Sequence, residues 1–308
     1  MMPTKIAIVG LGKIARDQHV PSIGNNPDFE LAATVSRNAS IDGVDHYATL
    51  SQMLAARPDI GAVALCTPPQ IRRRYAVEAI EAGRHVLLEK PPGATVAEVV
   101  SLKALAERHG VTLFATWHSR YAQGVEPARQ WLAGKTIESA QIVWREDVHR
   151  WHPGQDWIWS PGGMGVFDPG INALSILTHI LPAPVHVTAA TLEIPSNRQT
   201  PIAAKIDFLG AAGHPVTADF DWRQEGPQTW DITVHTTAGT LHLSSGGAVL
   251  TIEGNQHLAA PDTEYDGIYA HFARLLATGE SAVDLSPLQL VADAFMLADI
   301  RQVEPFPD

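Results

Sequence analysis

Cysteine is nearly absent from this sequence. Cys66 stands alone among 308 residues, so no disulfide can form within the chain. Its setting, Val63-Ala64-Leu65-Cys66, is an apolar strand pattern, and a small buried side chain is the expectation there rather than a nucleophile. Long apolar runs are also missing. No segment is long enough to span a bilayer, and the first 15 residues carry Lys5 and Lys13 in place of the apolar core of a secretory signal. The cytoplasm is therefore the expected compartment. Positive charge is in deficit, with 22 Lys and Arg against 33 Asp and Glu, and the net charge of −11 argues against nucleic acid or an anionic membrane as a partner. Internal repeats and low-complexity tracts are lacking too. What remains is an ordinary soluble composition, 45% apolar and 18% charged, in a chain long enough for two domains.

The first 120 residues read as strand and helix in alternation. Lys5-Ile6-Ala7-Ile8-Val9 is a short β-rich run that leads into Gly10-Leu11-Gly12-Lys13-Ile14-Ala15. This is the G-x-G-x-x-G/A fingerprint in its required place, after a strand and before a helix. Gly10 permits the tight turn, Gly12 lets backbone approach a pyrophosphate, and Ala15 lets the helix lie on its strand. The helix N-terminus, with the backbone of Lys13 and Ile14, then faces the phosphates. A second strand over 30–35 ends in Ser36-Arg37-Asn38, where an NAD-selective fold would place an acid. Arg37 attracts a 2′-phosphate and Ser36 can donate to it, so NADP is favoured, with NAD acceptable. Helices are expected over 51–56, 70–82 and 96–109, and strands over 60–65, 85–88 and 111–115, which makes parallel βαβ units.

Two strand ends carry unusual residues. Thr67-Pro68-Pro69 follows one, and Glu89-Lys90-Pro91-Pro92 follows the apolar run His85-Val86-Leu87-Leu88. Proline has no N–H to donate, so the strand stops there and leaves Glu89 and Lys90 at the edge where open α/β sheets bind ligands. Trp117-His118-Ser119-Arg120 closes the last strand on the same side. A domain boundary falls near 118–121, giving a dinucleotide-binding domain over 1–120 and a substrate domain over 121–308.

The second part has alternating stretches over 140–148, 185–194, 203–209, 216–222, 229–236, 240–243 and 248–252, which read as a large, mostly antiparallel sheet. A helix over 171–181 is inserted, and helices over 265–278 and 287–303 end the chain. Glu146-Asp147-Val148-His149-Arg150-Trp151-His152 sets aromatic faces beside polar groups, which suits a sugar. A Trp-rich core corner would look the same. His149 and His152 lack a third ligand at recognisable spacing, so no metal site is expected. Asp168-Pro169 reads as a helix start, with Asp168 as N-cap, and Asn172 lies one turn on. The loop before it, Ser160-Pro161-Gly162-Gly163-Met164-Gly165, suggests close approach of backbone to a ligand or to the other domain.

The fingerprint, Glu89-Lys90-Pro91 and Asp168-Pro169-Gly170-Ile171-Asn172 together resemble the glucose–fructose oxidoreductase/inositol dehydrogenase (Gfo/Idh/MocA) family over essentially the whole chain. Ala115-Thr116-Trp117-His118-Ser119-Arg120, Arg150-Trp151-His152-Pro153-Gly154-Gln155 and the run around Asp168 are most similar to its bacterial L-arabinose and D-galactose 1-dehydrogenases that use NAD(P). The resemblance implies an N-terminal Rossmann domain, a doubly wound parallel sheet, followed by an α+β domain with the large sheet. It implies oxidation of an aldopyranose at C1 to the lactone. Many members carry a His where this chain has Asn172, whose amide does not titrate, so the base is Lys90 or Asp168. By the same resemblance Asp168 and Asn172 form the catalytic pair, and Lys90, His118, Glu146, Trp151, His152 and Trp230 line the sugar site. The large sheet, with Trp222 on an outward face, is a candidate homodimer interface. Two alternatives stay open, another polyol or carbonyl substrate and a non-catalytic sugar-sensing regulator; retention of Lys90 and Asp168 speaks against the regulator.

Overall fold

The structure is a computed structural model and describes residues 2–261 and 263–307. The chain divides into two compact units, one running to His118 and resuming over Tyr265–Leu285, the other covering Ser119–Glu264 and the chain from Ser286 on. A single cut at 120 would leave the helix around 265–278 in the second domain. It packs with the first instead. Phe272 stacks on Phe29 with ring centroids 5.6 Å apart, and after the helix Ser281 Oγ accepts from the Leu113 N–H at 2.9 Å. No periodicity within one helix says which sheet it covers. No described helix is long and apolar enough to cross a membrane.

The first unit contains strands β1 (Thr4–Val9), β2 (Phe29–Val35), β3 (Asp45–Tyr47), β4 (Ala62–Leu65), β5 (His85–Leu88) and β6 (Leu113–Ala115), all parallel, in the order β3-β2-β1-β4-β5-β6. A π-helical turn over Ala15–His19 leads into α1 (Val20–Asn25); α2 (Leu50–Ala56), α3 (Pro69–Glu81) and α4 (Val96–His109) complete the alternation. β4 and all but the first residue of β5 are buried, as central strands covered on both faces must be. Helix ends follow local chemistry. The Thr95 hydroxyl accepts from the Glu98 N–H at 3.3 Å, and Gly110 closes α4 in the left-handed region at φ 64°. The order 3-2-1-4-5-6 reverses between β1 and β4, and Gly10, Ser36, Thr67, Glu89 and Thr116 all follow carboxyl ends of strands on that one edge. Cys66, expected to be buried, lies one residue past β4 and is half-buried because the strand has ended.

The second unit holds a short helix α5 (Val125–Leu132), then β7 (Ile137–Arg145), α6 (Val148–Trp151), α7 (Phe167–Ile180), β8 (Val185–Pro195), β9 (Ala203–Gly210), β10 (Pro215–Asp221), β11 (Thr229–Thr236), β12 (Gly239–Ser244), β13 (Val249–Ile252) and β14 (Asn255–Ala259). Helix α8 (Glu264–Thr278) belongs almost wholly to the first unit; α9 (Ser286–Leu297) and β15 (Ala298–Val303) return to the second. The sheet runs β14-β13-β12-β11-β7-β10-β9-β8-β15 and is antiparallel except where β10 meets β7 and β15 meets β8. The expected helix over 287–303 is therefore only two-thirds helix. After Leu297 the chain turns extended and pairs beside β8, a tertiary choice that apolar spacing does not record. α7 lies close over β10, with Phe167 and Phe220 edge to face at 5.9 Å and Gly170 so near that an added methyl would sit 2.9 Å from the Phe220 ring. Trp222, expected on an outward face, is wholly buried between His152 and Trp159, so it forms no dimer surface.

Candidate active site

At the switch edge of the first unit two turns meet. Gly10 has φ 91°, and a methyl added there would lie 2.9 Å from the Thr67 backbone nitrogen, so only glycine lets the fingerprint turn sit against the turn after β4. At Gly12 the added methyl would meet nothing within 4 Å, which leaves open space for another molecule's close approach. Ala15 is wholly buried, and Ile14 is 39% exposed. The Lys13 ammonium pairs with Asp17 on the next turn. After β2, Ser36 is half-buried and donates its N–H to Tyr47 at 3.0 Å, while Arg37 is exposed. A second cation reaches this loop. Arg16 donates to the Ser40 carbonyl at 3.3 Å, a neighbour that sequence spacing did not suggest.

The turns after β4 and β5 are tied by a buried arginine. The Arg72 guanidinium donates to the carbonyls of Thr67, Glu89 and Pro91. In the sequence it is one of three consecutive arginines, 72–74, and nothing there marks which one turns inward. Pro68 is half-buried beside it, and the Lys90–Pro91 peptide bond is cis. Glu89 is 3% exposed: His19 Nε2 lies 3.0 Å from its Oε1, the Tyr265 hydroxyl donates to the same oxygen at 2.7 Å, and Oε2 accepts the Lys90 N–H at 2.7 Å. Burial pushes the Glu89 carboxyl up, but the His19 ring beside it and the Tyr265 hydroxyl outweigh that and hold it below the usual range. Burial likewise disfavours a charge on His19, yet Cys66, Tyr269 and Glu89 around it hold its pKa well above the ordinary value. Burial raises the Tyr269 phenol to about 12, so it stays neutral 2.7 Å from His19 Nδ1. Lys90 itself is half-buried, and the His118 ring stacks on Tyr265 with centroids 5.5 Å apart.

In the second unit the polar cluster is built by one strand end and one short helix. Glu146 follows β7; Asp147 then caps α6, its carboxylate accepting from the His149 N–H at 2.9 Å, and this turn brings His152 back over Glu146. Glu146 is 5% exposed. It accepts from Trp230 Nε1 at 2.9 Å and from His152 Nε2 at 3.2 Å. With its Nε2 proton committed to Glu146, the His152 ring presents Nδ1, buried and without a hydrogen bond, 3.7 Å from Asp168 Oδ2. Trp151 and Trp230 meet edge to face at 5.2 Å, and Trp151 Nε1 donates to Gln228 Oε1 at 3.3 Å. Both indoles are half-buried and offer apolar faces beside the carboxylates. His149 is exposed and stacks on Phe306, away from this cluster.

Asp168 is not an N-cap. Helix α7 starts at Phe167 with Val166 as cap, because the Asp168 N–H already closes a turn onto the Gly165 carbonyl at 2.8 Å. Asp168 therefore lies inside the first turn, 3% exposed, at the positive end of the helix dipole. Pro169 is tolerated because first-turn N–H groups lack helical partners. Asn172, one turn on, shares its face and is half-buried. The glycine-rich loop before α7 approaches backbone of its own unit: methyl groups at Gly163 and Gly165 would lie 2.1 Å from the Trp157 carbonyl and 2.2 Å from the Pro201 carbonyl, so the glycines serve packing there. No group of three or more His, Cys, Asp or Glu among the described residues is arranged to hold a metal ion.

A family model described as an oxidoreductase family with an NAD-binding Rossmann fold matches residues 4–116. A galactose 1-dehydrogenase from Pseudomonas fluorescens is 44% identical over 308 residues, 100% of both chains. The crystal structure of a D-galactose-1-dehydrogenase protein from Rhizobium etli is 56% identical, with a TM-score of 0.96 over 100% of this chain and 99% of that one. The chain belongs to the glucose–fructose oxidoreductase/inositol dehydrogenase family. It is an oxidoreductase, and the first unit is the family's NAD-binding unit, whose open Gly12 and strand-end turns fit a dinucleotide. A 3-ketoreductase from Actinomadura kijaniata solved with NADP and TDP-benzene has a TM-score of 0.83 at 20% identity over 99% of this chain and 100% of that one, which is likeness of fold alone.

Proposed function

We propose that the protein oxidises the anomeric carbon of D-galactopyranose and L-arabinopyranose to the aldonolactone, with NADP as the preferred acceptor and NAD as a second. The observation that carries this reading is the buried series Trp230–Glu146–His152–Asp168 beside two indole faces, in a chain similar over its whole length to galactose 1-dehydrogenases. When bound, the nicotinamide supplies the two-electron acceptor for the C1 hydride. Asp168 takes the proton of the anomeric hydroxyl, and Asn172 orients that hydroxyl. The unpartnered Nδ1 of His152 is the next acceptor for that proton, so Asp168 can return to carboxylate. Lys90 stabilises negative charge developing on O1. His118, Trp151 and Trp230 hold the sugar ring and Glu146 reads its hydroxyls. Gly10, Gly12, Lys13, Ile14, Thr67, Pro68 and Glu89 hold the dinucleotide, with Ser36 and Arg37 at the 2′-phosphate.

The two sugars share ring stereochemistry and differ by one exocyclic CH₂OH, a difference worth only about 10–200-fold in an apolar pocket, whereas a hydrogen-bonding site rejects the wrong hydroxyl strongly. The test is the rate of NADP and NAD reduction over a panel of aldoses. Turnover of D-galactose and L-arabinose with rejection of the C4 epimers D-glucose and D-xylose is expected; no reduction with any aldose would end the proposal. The homodimer is also proposed, through edge strand β15 and the end of α9 that leads into it, where Ile300 is 61% exposed and Met296 and Leu297 are 84% and 52% exposed. Light scattering on Ile300→Lys against the parent chain checks it, and equal masses would remove that interface.

A further inference from the structure

Apart from Glu89 itself, the buried cluster behind the Glu89–Pro91 turn has no part in the chemistry above. Its charges are costly to bury, and an apolar core of the same shape often serves stability as well, so the cluster is weak evidence for stability by itself. Every member of it ends on one turn. His19 Nε2 and the Tyr265 hydroxyl converge on Oε1 of Glu89, Tyr269 holds the far side of the His19 ring, and the second Glu89 oxygen takes the Lys90 N–H. The carbonyls on either side of Lys90 are held by Arg72. The backbone that carries Lys90 is thus tied through its N–H by one charged group and through its carbonyls by another. The Tyr265 ring meanwhile lies 20° from parallel with the His118 imidazole.

We propose that His19, Tyr265 and Tyr269 are positioning residues that act through Glu89 to fix where Lys90 is presented, and that the Tyr265 ring sets the plane of His118. This rests on the reading that Lys90 and His118 serve the sugar reaction. Tyr265→Phe keeps the ring on His118 and removes only the O–H aimed at Glu89. His19→Phe keeps the ring shape without a donor, and His19→Gln restores an N–H. Since misplacement by about 1 Å costs about a hundredfold in rate, Tyr265→Phe and His19→Phe are expected to lower kcat about tenfold or more, with the NADP KM held within about threefold and His19→Gln recovering most of the loss.

A second readout does not depend on any substrate: the rate at which Lys90 is modified by an amine-specific reagent, followed by mass spectrometry on the whole protein. With the turn loosened, labelling in Tyr265→Phe is expected to rise about threefold. If the parent enzyme turns over no aldose, the functional reading fails and the labelling rates alone decide this one. Parental kcat and parental Lys90 labelling in Tyr265→Phe, with only the melting temperature lowered, would overturn the proposal and leave the cluster a packing device. Should His19→Phe not fold, Tyr265→Phe carries the test by itself.

Discussion

Replacing Asp168 with Asn tests the assignment of the proton acceptor with little change of shape. The side chain is 3% exposed in the first turn of α7, and its Oδ2 lies 3.7 Å from His152 Nδ1. A positioned general base contributes about 10²–10⁴-fold in rate. At about 1.4 kcal/mol for each factor of ten, loss of that base raises the barrier by roughly 2.8–5.6 kcal/mol. The structural cost is smaller. Asparagine keeps an oxygen acceptor at the helix start and forfeits the charge–dipole attraction, about 0.3–1 kcal/mol when exposed and up to about 2 in partly buried sites. At about 2–4 °C for each kcal/mol, that lowers the melting midpoint by no more than about 8 °C. The assay is the initial rate of reduced nicotinamide formation at saturating sugar, beside NADP affinity by fluorescence and a melting curve. The expected outcome is kcat down about a hundredfold or more with NADP affinity within about twofold. A kcat within about threefold of the parent would refute Asp168 as the base and move the role to Lys90.

Arg37→Ala removes an exposed guanidinium from the loop after β2 and is expected to raise the KM for NADP about tenfold while sparing NAD, as a charge-assisted contact to a 2′-phosphate requires; equal loss with both cofactors would count against the NADP preference. Trp230→Phe keeps an aromatic face and removes the N–H that donates to Glu146 at 2.9 Å. A hydrogen bond to a charged group is worth about 1.5–3 kcal/mol, so the sugar KM is expected to rise about tenfold in steady-state assays, with cofactor KM unmoved. Acid lability follows from three histidines. Burial lowers the pKa of His85, His179 and His271, so the unfolded chain binds more protons, and their stabilisation is present above about pH 6.5 and lost as pH falls through the lowered values. His19, with its pKa raised, has the opposite sign and loses its contribution only as pH rises through its folded value. Melting curves from about pH 7 down to about pH 5 should therefore fall, and His85→Gln, which keeps an acceptor for the Thr112 N–H, should flatten the slope; an unchanged slope would discount His85.

Local chemistry carried the reading of the first unit. The strand–glycine–helix order around Gly10, the prolines that end β5 and the apolar runs of β4 and β5 are properties of neighbours in the chain, so they are legible without a fold. The same holds for the pairing of Asp168 with Asn172, since one helical turn places both on one face. Other features depend on contacts that cross the chain. Arg72 looks like its neighbours Arg73 and Arg74 until α3 packs on the sheet and turns one guanidinium onto three carbonyls. Trp222, expected on an outward face, continues the inward phase of Val216, Ala218 and Phe220 and is wholly buried where His152 and Trp159 from other elements meet it. The glycines before α7 serve backbone contacts with residues 157 and 201, which their own composition does not name.

By itself, then, the sequence determined the alternation of strand and helix, the glycine turn after β1, the carboxylate near the start of α7 and the residue types of the candidate site, because period, turn preference and charge act over a few residues. Only the tertiary structure decided that α8 returns to the first unit, that 298–303 adds an edge strand, and that His19, Tyr265 and Tyr269, up to 250 positions apart, converge around Glu89. A buried carboxylate requires donors from whatever elements surround it, and which elements those are is settled by packing.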